Sequence, residues 1–252
     1  MQKKFKGFYL FVSSIVIGLL HIPFAFAKSA TGNKLFFHPP SDSSIRNTST
    51  ADSLQLMPLL TSAYDSLQLN LKGLSQQAYE YAKQGLNKLM DEGKLLNDSI
   101  ISIIDFSQPS VNKRLFIIDL KNYKVLFNTL VAHGRNTGRE LATSFSNQST
   151  SYKSSPGFYI TRETYSGSNG YSLKLEGIEK GINDNAFERG IVIHGAEYVS
   201  EAFANAQGYI GRSQGCPAVP VQVTNRIINT IKNGTCLFIY HPSYIGRSVI
   251  LN

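Results

Sequence analysis

The chain has 252 residues, 25 Lys and Arg against 17 Asp and Glu, and two cysteines. That length can bury a full hydrophobic core without covalent staples, so disulfides are not required for stability. The formal charge of +8 is scattered, with no basic run beyond the first residues, which gives nucleic-acid binding no support.

Residues 1–27 read as an export signal. Lys3, Lys4 and Lys6 make a positive start, Phe8 to Leu20 an apolar core, and Ala25-Phe26-Ala27 a small-x-small cleavage site. The apolar stretch is short for a membrane span, and nothing after it reaches the ~18 apolar residues a span needs. Cleavage before Lys28 lowers the formal charge to +5, 22 basic residues against 17 acidic ones. A secreted, periplasmic or cell-envelope protein without stable membrane insertion is expected. Residues 28–52 mix Ser, Thr, Asn and Pro without apolar periodicity and read as a flexible linker.

Residues 53–97 are expected to form a helical cap segment. Leu54 to Leu71 is Leu-rich, and a second helix is signalled from Ser75. There Ser75 can cap, Leu74 and Tyr79 stand at staple positions, and Gly93 provides a stop. Ala78, Ala82, Leu86, Leu89 and Met90 recur at helical spacing as one apolar face. From residue 98 to 252 the period changes. Ile100 to Ile104, Leu115 to Leu120 and Tyr123 to Val131 are β-rich runs, the latter two separated by a Lys-Asn turn. "GFYITRETY" and "YSLKLE" continue the pattern; in the latter Tyr171, Leu173 and Leu175 alternate with Ser172, Lys174 and Glu176. "GIVIH" and "TCLFIY" are apolar on both faces and belong in the centre of a sandwich or barrel. A helix over Val223 to Lys232 turns Ile227, Ile228 and Ile231 inward and ends by Gly234. The fold class is mainly β with flanking helices, α+β.

Two residues carry the chemistry. His194 ends the apolar strand Ile191-Val192-Ile193 and precedes Gly195; Cys216 lies between Gly215 and Pro217 at the end of a glycine-rich loop. Glycine beside a cysteine lets a substrate carbonyl approach the backbone, and the amides of Cys216 and its neighbours suit an oxyanion hole. A neighbouring imidazole can take the thiol proton, storing the site as a thiolate–imidazolium pair. Spacing alone leaves other readings open: a Cys216–Cys236 disulfide in an oxidising compartment, or a zinc site from His133, His194 and Cys216. Cys236 sits in a run apolar on both faces and reads as a free core thiol.

The local words narrow the choice. "HG" closing an apolar strand, then S-x-G-C in a glycine-rich loop, resembles the catalytic signature of the L,D-transpeptidases, and "SSPGFYI" resembles their strand entry. Read together, "IIDFSQPS", "VAHGRNTG", "GINDNAFERGIVIHGAEYVS" and "GRSQGCPAVP" are similar to the divergent secreted subfamily of murein L,D-transpeptidase catalytic domains, over about residues 65–242. The resemblance implies an L,D-transpeptidase-like β-sandwich after an N-terminal helical segment, with the nucleophile loop at one end. It implies peptidoglycan stem peptides as partners, Cys216 as nucleophile, His194 as acid and base, and no metal or other cofactor. Gly215 belongs to the same catalytic loop, and Ser213 either orients His194 through its hydroxyl or carbonyl or stabilises the turn. Gln214 stands where the family has histidine, and Ala218 where it has arginine. Arg212, Arg189 and Arg135 are then candidates to hold a substrate carboxylate, with Tyr198 and His133 as further cleft candidates. Water in place of an amine would make the outcome L,D-carboxypeptidase trimming; a degenerate site would leave a peptidoglycan-binding protein.

Overall fold

The computed structural model describes residues 62–252; the expected signal and linker, and residues 53–61 of the cap, lie outside them. In chain order the elements are α1 (Ala63–Ser66), α2 (Gln76–Asp91), β1 (Ile100–Asp105), β2 (Leu115–Asp119), β3 (Lys124–Thr129), β4 (Gly157–Gly167) and β5 (Gly170–Gly177). After them come β6 (Val192–Gly195), α3 (Glu201–Gln207), β7 (Ala218–Val219), α4 (Val221–Ile231), β8 (Cys236–Tyr240) and α5 (Pro242–Ile245). Among the described residues no helix is long and apolar enough to cross a membrane.

Helix α2 begins where Ser75 Oγ accepts the Ala78 N–H at 3.1 Å. It ends in a Schellman motif: Gly93, at φ +64°, donates to Met90 O and Lys94 to Leu89 O, both at 2.9 Å. Its buried face is Ala78, Tyr79, Ala82, Gly85, Leu86 and Leu89. Met90, expected in that face, is 41% exposed, because it lies one residue round the helix from Leu89. Of the helix expected from Leu54 to Leu71, the described residues form only the single turn α1. Gln68 turns left-handed at φ +50° and the chain runs on in turns, a break that no glycine or proline announces before Gly73.

The strands join in the order β3-β2-β1-β8-β4-β5-β6-β7. The fully buried β8 runs parallel to β1 and antiparallel to β4. Side chains alternate between two cores as the pleat requires. Ile101, Ile103, Phe116, Ile118, Phe158 and Phe238 join α2 in one core; Ile104, Leu115, Ile117, Tyr159, Leu237 and Ile239 join Ile227, Ile228 and Ile231 of α4 in the other. The two outer edges then meet. Ala132, just past β3, bridges Ala218 of β7, and Gly134 bridges Ser213. The segment after β3 thus meets the β7 end of the sheet through two isolated bridges, which pair part of an edge that would otherwise be open.

Smaller departures have local causes. The Lys-Asn turn widens to residues 120–123, since Asp119 Oδ1 captures the Asn122 N–H at 2.9 Å and Tyr123 turns to φ +49°. Strand β3 stops at Thr129, two residues short of the expected end, where the chain leaves β2 for the seam. Helix α4 starts at Val221, directly after Pro220. Ser172, expected on the outer face of β5, is fully buried and donates to Gly170 O at 3.1 Å.

Gly85 faces Phe158 so closely that an added Cβ would lie 2.0 Å from the ring's Cζ. Gly to Ala inside a helix ordinarily stabilises by about 1 kcal/mol. Here overpacking outweighs that gain, and Gly85→Ala should destabilise by about 1–3 kcal/mol in urea unfolding. An unchanged or higher midpoint would contradict this packing.

Candidate active site

The seam that closes the sheet also builds the site. His194 on β6 pairs in parallel with Ala218 on β7, so Cys216 sits two residues before the cross-strand partner of His194. Gly195 permits this approach: a Cβ there would stand 2.6 Å from Thr224 Oγ1 on α4. His194 and Cys216 line one cleft of about 750 Å³ with Arg135, Tyr152, Arg189, Tyr198, Arg212 and Gln214. Cys216 is half-buried and Cys236 fully buried, and both are free thiols. Cys236 packs in the α2 core while Cys216 abuts the α4 core, so the disulfide reading is corrected by the sheet lying between them.

The Cys216 thiol points to Gly190 O, with Sγ at 3.7 Å. Burial raises its pKa above the ordinary 9.0, opposed by the Val192 amide, the Arg189 charge and its own amide. Burial lowers the pKa of His194 below 6.5, opposed by its backbone contact. That contact joins Nδ1 to Gly195 O at 3.0 Å. A carbonyl can only accept, so Nδ1 carries the proton and Nε2 keeps its lone pair. Both shifts favour the uncharged forms. Their directions run against the thiolate–imidazolium pair that the sequence suggested.

Ser213 Oγ donates to Cys216 O at 2.6 Å and accepts the Gly215 N–H at 3.0 Å. Its backbone carbonyl accepts from Arg135 and its N–H donates to His133 O. It therefore clamps the nucleophile turn, and the expectation that it orients His194 is corrected: Gly195 O does so. Gly215 sits at φ +127° with room for no Cβ, which would stand 2.8 Å from Lys153 O. Its carbonyl accepts from Ser154 Oγ at 3.0 Å. With its amide engaged by Ser213, Gly215 shapes the turn, and the amides of Val192 and Cys216 face the sulfur.

The remaining candidates separate. Tyr198 lines the cleft, and burial followed by the Cys216 charge pushes its hydroxyl up to about 12. Arg189 also lines it, but its guanidinium donates to Ser146 O, Ser155 Oγ and Lys153 O at 3.0, 2.7 and 2.6 Å. Arg135 stacks 3.8 Å above the Tyr152 ring. Arg212 makes two long hydrogen bonds, to the carbonyls of Arg135 and Gly138 at 3.3 Å, and lies 5.7 Å over the Tyr209 ring. His133 is absent from the cleft: it is fully buried, 2.7 Å from Arg114 Nη2 through Nδ1 and 3.2 Å from Gly138 O through Nε2. Burial and then the Arg114 charge lower its pKa to about 3. The substrate role expected of it is corrected to a neutral, internal one. Sequence reasoning missed Tyr152, Ser154 and Arg114, since an aromatic, a hydroxyl and a charge in separate segments carry no spacing signal. Among the described residues no group of three or more His, Cys, Asp or Glu side chains could hold a metal ion.

Compared with known families, residues 70–240 match the model of the L,D-transpeptidase catalytic domain. The chain belongs to that family. A comparison with curated proteins found no match. Similar solved structures include the helical cell shape determining protein of Campylobacter jejuni, 12% identical with a TM-score of 0.39 over 63% of this chain and 56% of that one. An L,D-transpeptidase of Stackebrandtia nassauensis is 13% identical with a TM-score of 0.35, covering 66% and 67%. L,D-transpeptidase 3 of Mycobacterium tuberculosis is 13% identical with the same score of 0.35, covering 57% and 61%. The chain spans about 59% of the length of the L,D-transpeptidase solved with imipenem. Within this L,D-transpeptidase domain, Ala218, where the resemblance leads one to expect arginine, is fully buried at the seam among Leu130, Ala132 and Val199.

Alkylation tests the uncharged pair. Iodoacetamide should modify Cys216 of the native protein at a rate that climbs with pH through a pKa above 9, and Cys236 only after unfolding. A rate already at its plateau below pH 6 would show a stored thiolate.

Proposed function

We propose that this protein is an exported cysteine-dependent L,D-transpeptidase acting on peptidoglycan stem peptides. The observation that carries the reading is the pairing of Cys216 with His194 in one cleft, with Nδ1 of His194 held on Gly195 O and Nε2 unprotonated. Membership of the L,D-transpeptidase catalytic domain family supports it, and the Lys3–Ala27 pattern supports export.

In the first half-reaction the Cys216 sulfur adds to the carbonyl of the L-centre at stem position three while His194 Nε2 takes the thiol proton. The Cys216 amide is placed to hydrogen-bond the oxyanion. Collapse breaks the peptide bond, His194 returns the proton to the departing D-Ala nitrogen, and a thioester remains. In the second half an amine of a neighbouring stem attacks that thioester and gives its proton to His194. Sulfur leaves and is reprotonated, completing a 3→3 cross-link. Burial that keeps sulfur protonated at rest fits this order, with proton transfer coupled to C–S bond formation. Neither half calls for a metal or a nucleotide.

Given disaccharide tetrapeptide, the protein should release D-Ala and gain the mass of the acyl group on Cys216. Cross-linked dimer establishes transpeptidation; tripeptide alone establishes carboxypeptidase action. Cys216→Ala should abolish both products without unfolding the domain, and His194→Ala should slow acylation by roughly 100-fold or more. Binding without any adduct across several stem peptides under reducing conditions would leave a binding protein instead.

A further inference from the structure

Three arginines and a single acid, Glu188, line the cleft, so the field around Cys216 is that of a site for an anion. They are not equivalent. The Arg189 guanidinium commits both terminal nitrogens to Ser146, Lys153 and Ser155, and so holds the 146–155 loop against the nucleophile turn. Arg135 and Arg212 are different. Neither takes part in any of the ion pairs among the described residues. Arg135 lies flat on Tyr152 at 3.8 Å. Stacking occupies the π face of a guanidinium and leaves the N–H groups on its rim free for a carboxylate. Arg212 reaches the same place from the nucleophile loop, with Nη1 on Arg135 O.

The platform itself is held at a cost. Tyr152 is a bulky residue in the left-handed region at φ +54°, with Thr150 beside it at φ +58°. Asn136 fixes this turn, its N–H on Tyr152 O at 3.1 Å and its side-chain amide on Ser151 O at 2.9 Å. The strained residue is thus tied to the segment that carries Arg135. Backbone strain kept beside a reactive group points to use of what it presents.

We infer that Arg135, on its Tyr152 platform, and Arg212 together bind the free C-terminal carboxylate of the donor peptide. This rests on the function proposed above. Carboxylate binding there holds the terminal residue, so that the peptide bond before it is presented to Cys216. Charge-assisted contacts of this kind are worth far more in a partly enclosed cleft than on an open surface.

The test compares two synthetic donors, a stem tetrapeptide with a free C-terminus and the same peptide with a C-terminal amide. Wild type should acylate the free acid at least about 10-fold faster in kcat/KM. Arg135→Gln and Arg212→Gln should each remove most of that preference by slowing the free acid alone, and Tyr152→Leu should do the same more weakly. Arg135→Lys, which keeps the charge and loses the planar stack, should fall between. Equal losses on both donors, or no preference in wild type, would overturn the assignment. Calorimetric binding of both peptides to Cys216→Ala separates this from the chemistry. A preference for the free acid that disappears in Cys216→Ala/Arg135→Gln supports the subsite even if wild type forms no thioester; no preference there rejects it.

Discussion

The structure depends on the bridge between Ala132 and Ala218. At that point the chain just past the outermost β3 meets β7 from the other end of the sheet, with Ala132 N–H on Ala218 O at 2.8 Å. Without it both edges would expose unpaired donors and acceptors. With it, the segment from residue 130 to 135 becomes a rail for the nucleophile loop: Ser213 N–H donates to His133 O at 3.0 Å and Arg135 N–H to Ser213 O at 2.8 Å. The same register brings β7 beside β6 and therefore the cysteine beside the histidine. Closure and the placement of the two reactive residues thus share one register.

Two buried polar clusters hold the walls of this arrangement. Behind the rail, the fully buried Arg114 donates to Val131 O and Gln108 O, lies 4.7 Å over the Phe106 ring, and contacts His133. Burial lowers its pKa to about 9, against the nearby charge of Asp105. A buried charge unsupported in this way would be costly; here carbonyls, a ring and an imidazole lone pair surround it. On the other wall the buried Glu179 carboxylate accepts from Phe158 N–H at 2.8 Å, Tyr244 at 2.5 Å and Ser248 at 2.6 Å. It ties the segment before β6, including the Gly190 carbonyl that meets the Cys216 thiol, to β4 and to the C-terminal turn. Rigid walls of this kind keep a site in register, since polar networks in a low dielectric are stiff only when every member is satisfied.

The cleft is cationic at its rim, while Cys216 and His194 are largely buried, and the two conditions do different things. The arginines favour an anionic ligand on approach. Burial around Cys216 and His194 pushes both toward their uncharged forms. A thiol held toward its neutral form is also less open to oxidation than a stored thiolate.

How much of this was legible in the sequence follows from the range of each interaction. Helix α2, with its Ser75 cap and Gly93 stop, and the apolar strands around Ile103, Ile193 and Phe238 are decided by neighbours within a few residues, so their patterns show in the chain. His194 and Cys216 stood out because strand-end HG and glycine-flanked cysteine are local words that match a family. The one-turn α1 and the four-residue turn at Tyr123 were hidden, because left-handed Gln68 and Tyr123 carry no glycine to mark them. The roles of the other candidates lay wholly beyond local reading. His133 and His194 look alike as strand-end histidines before glycine; only the packing of Phe106 and Arg114 makes one a buried strut, while the seam opens the other to the cleft. The sequence by itself determined the elements and the pair of reactive residues, whose signals are short-range. Tertiary structure decided which edge meets which, and hence which arginines are free and how the thiol rests, because those depend on contacts between residues tens to a hundred positions apart.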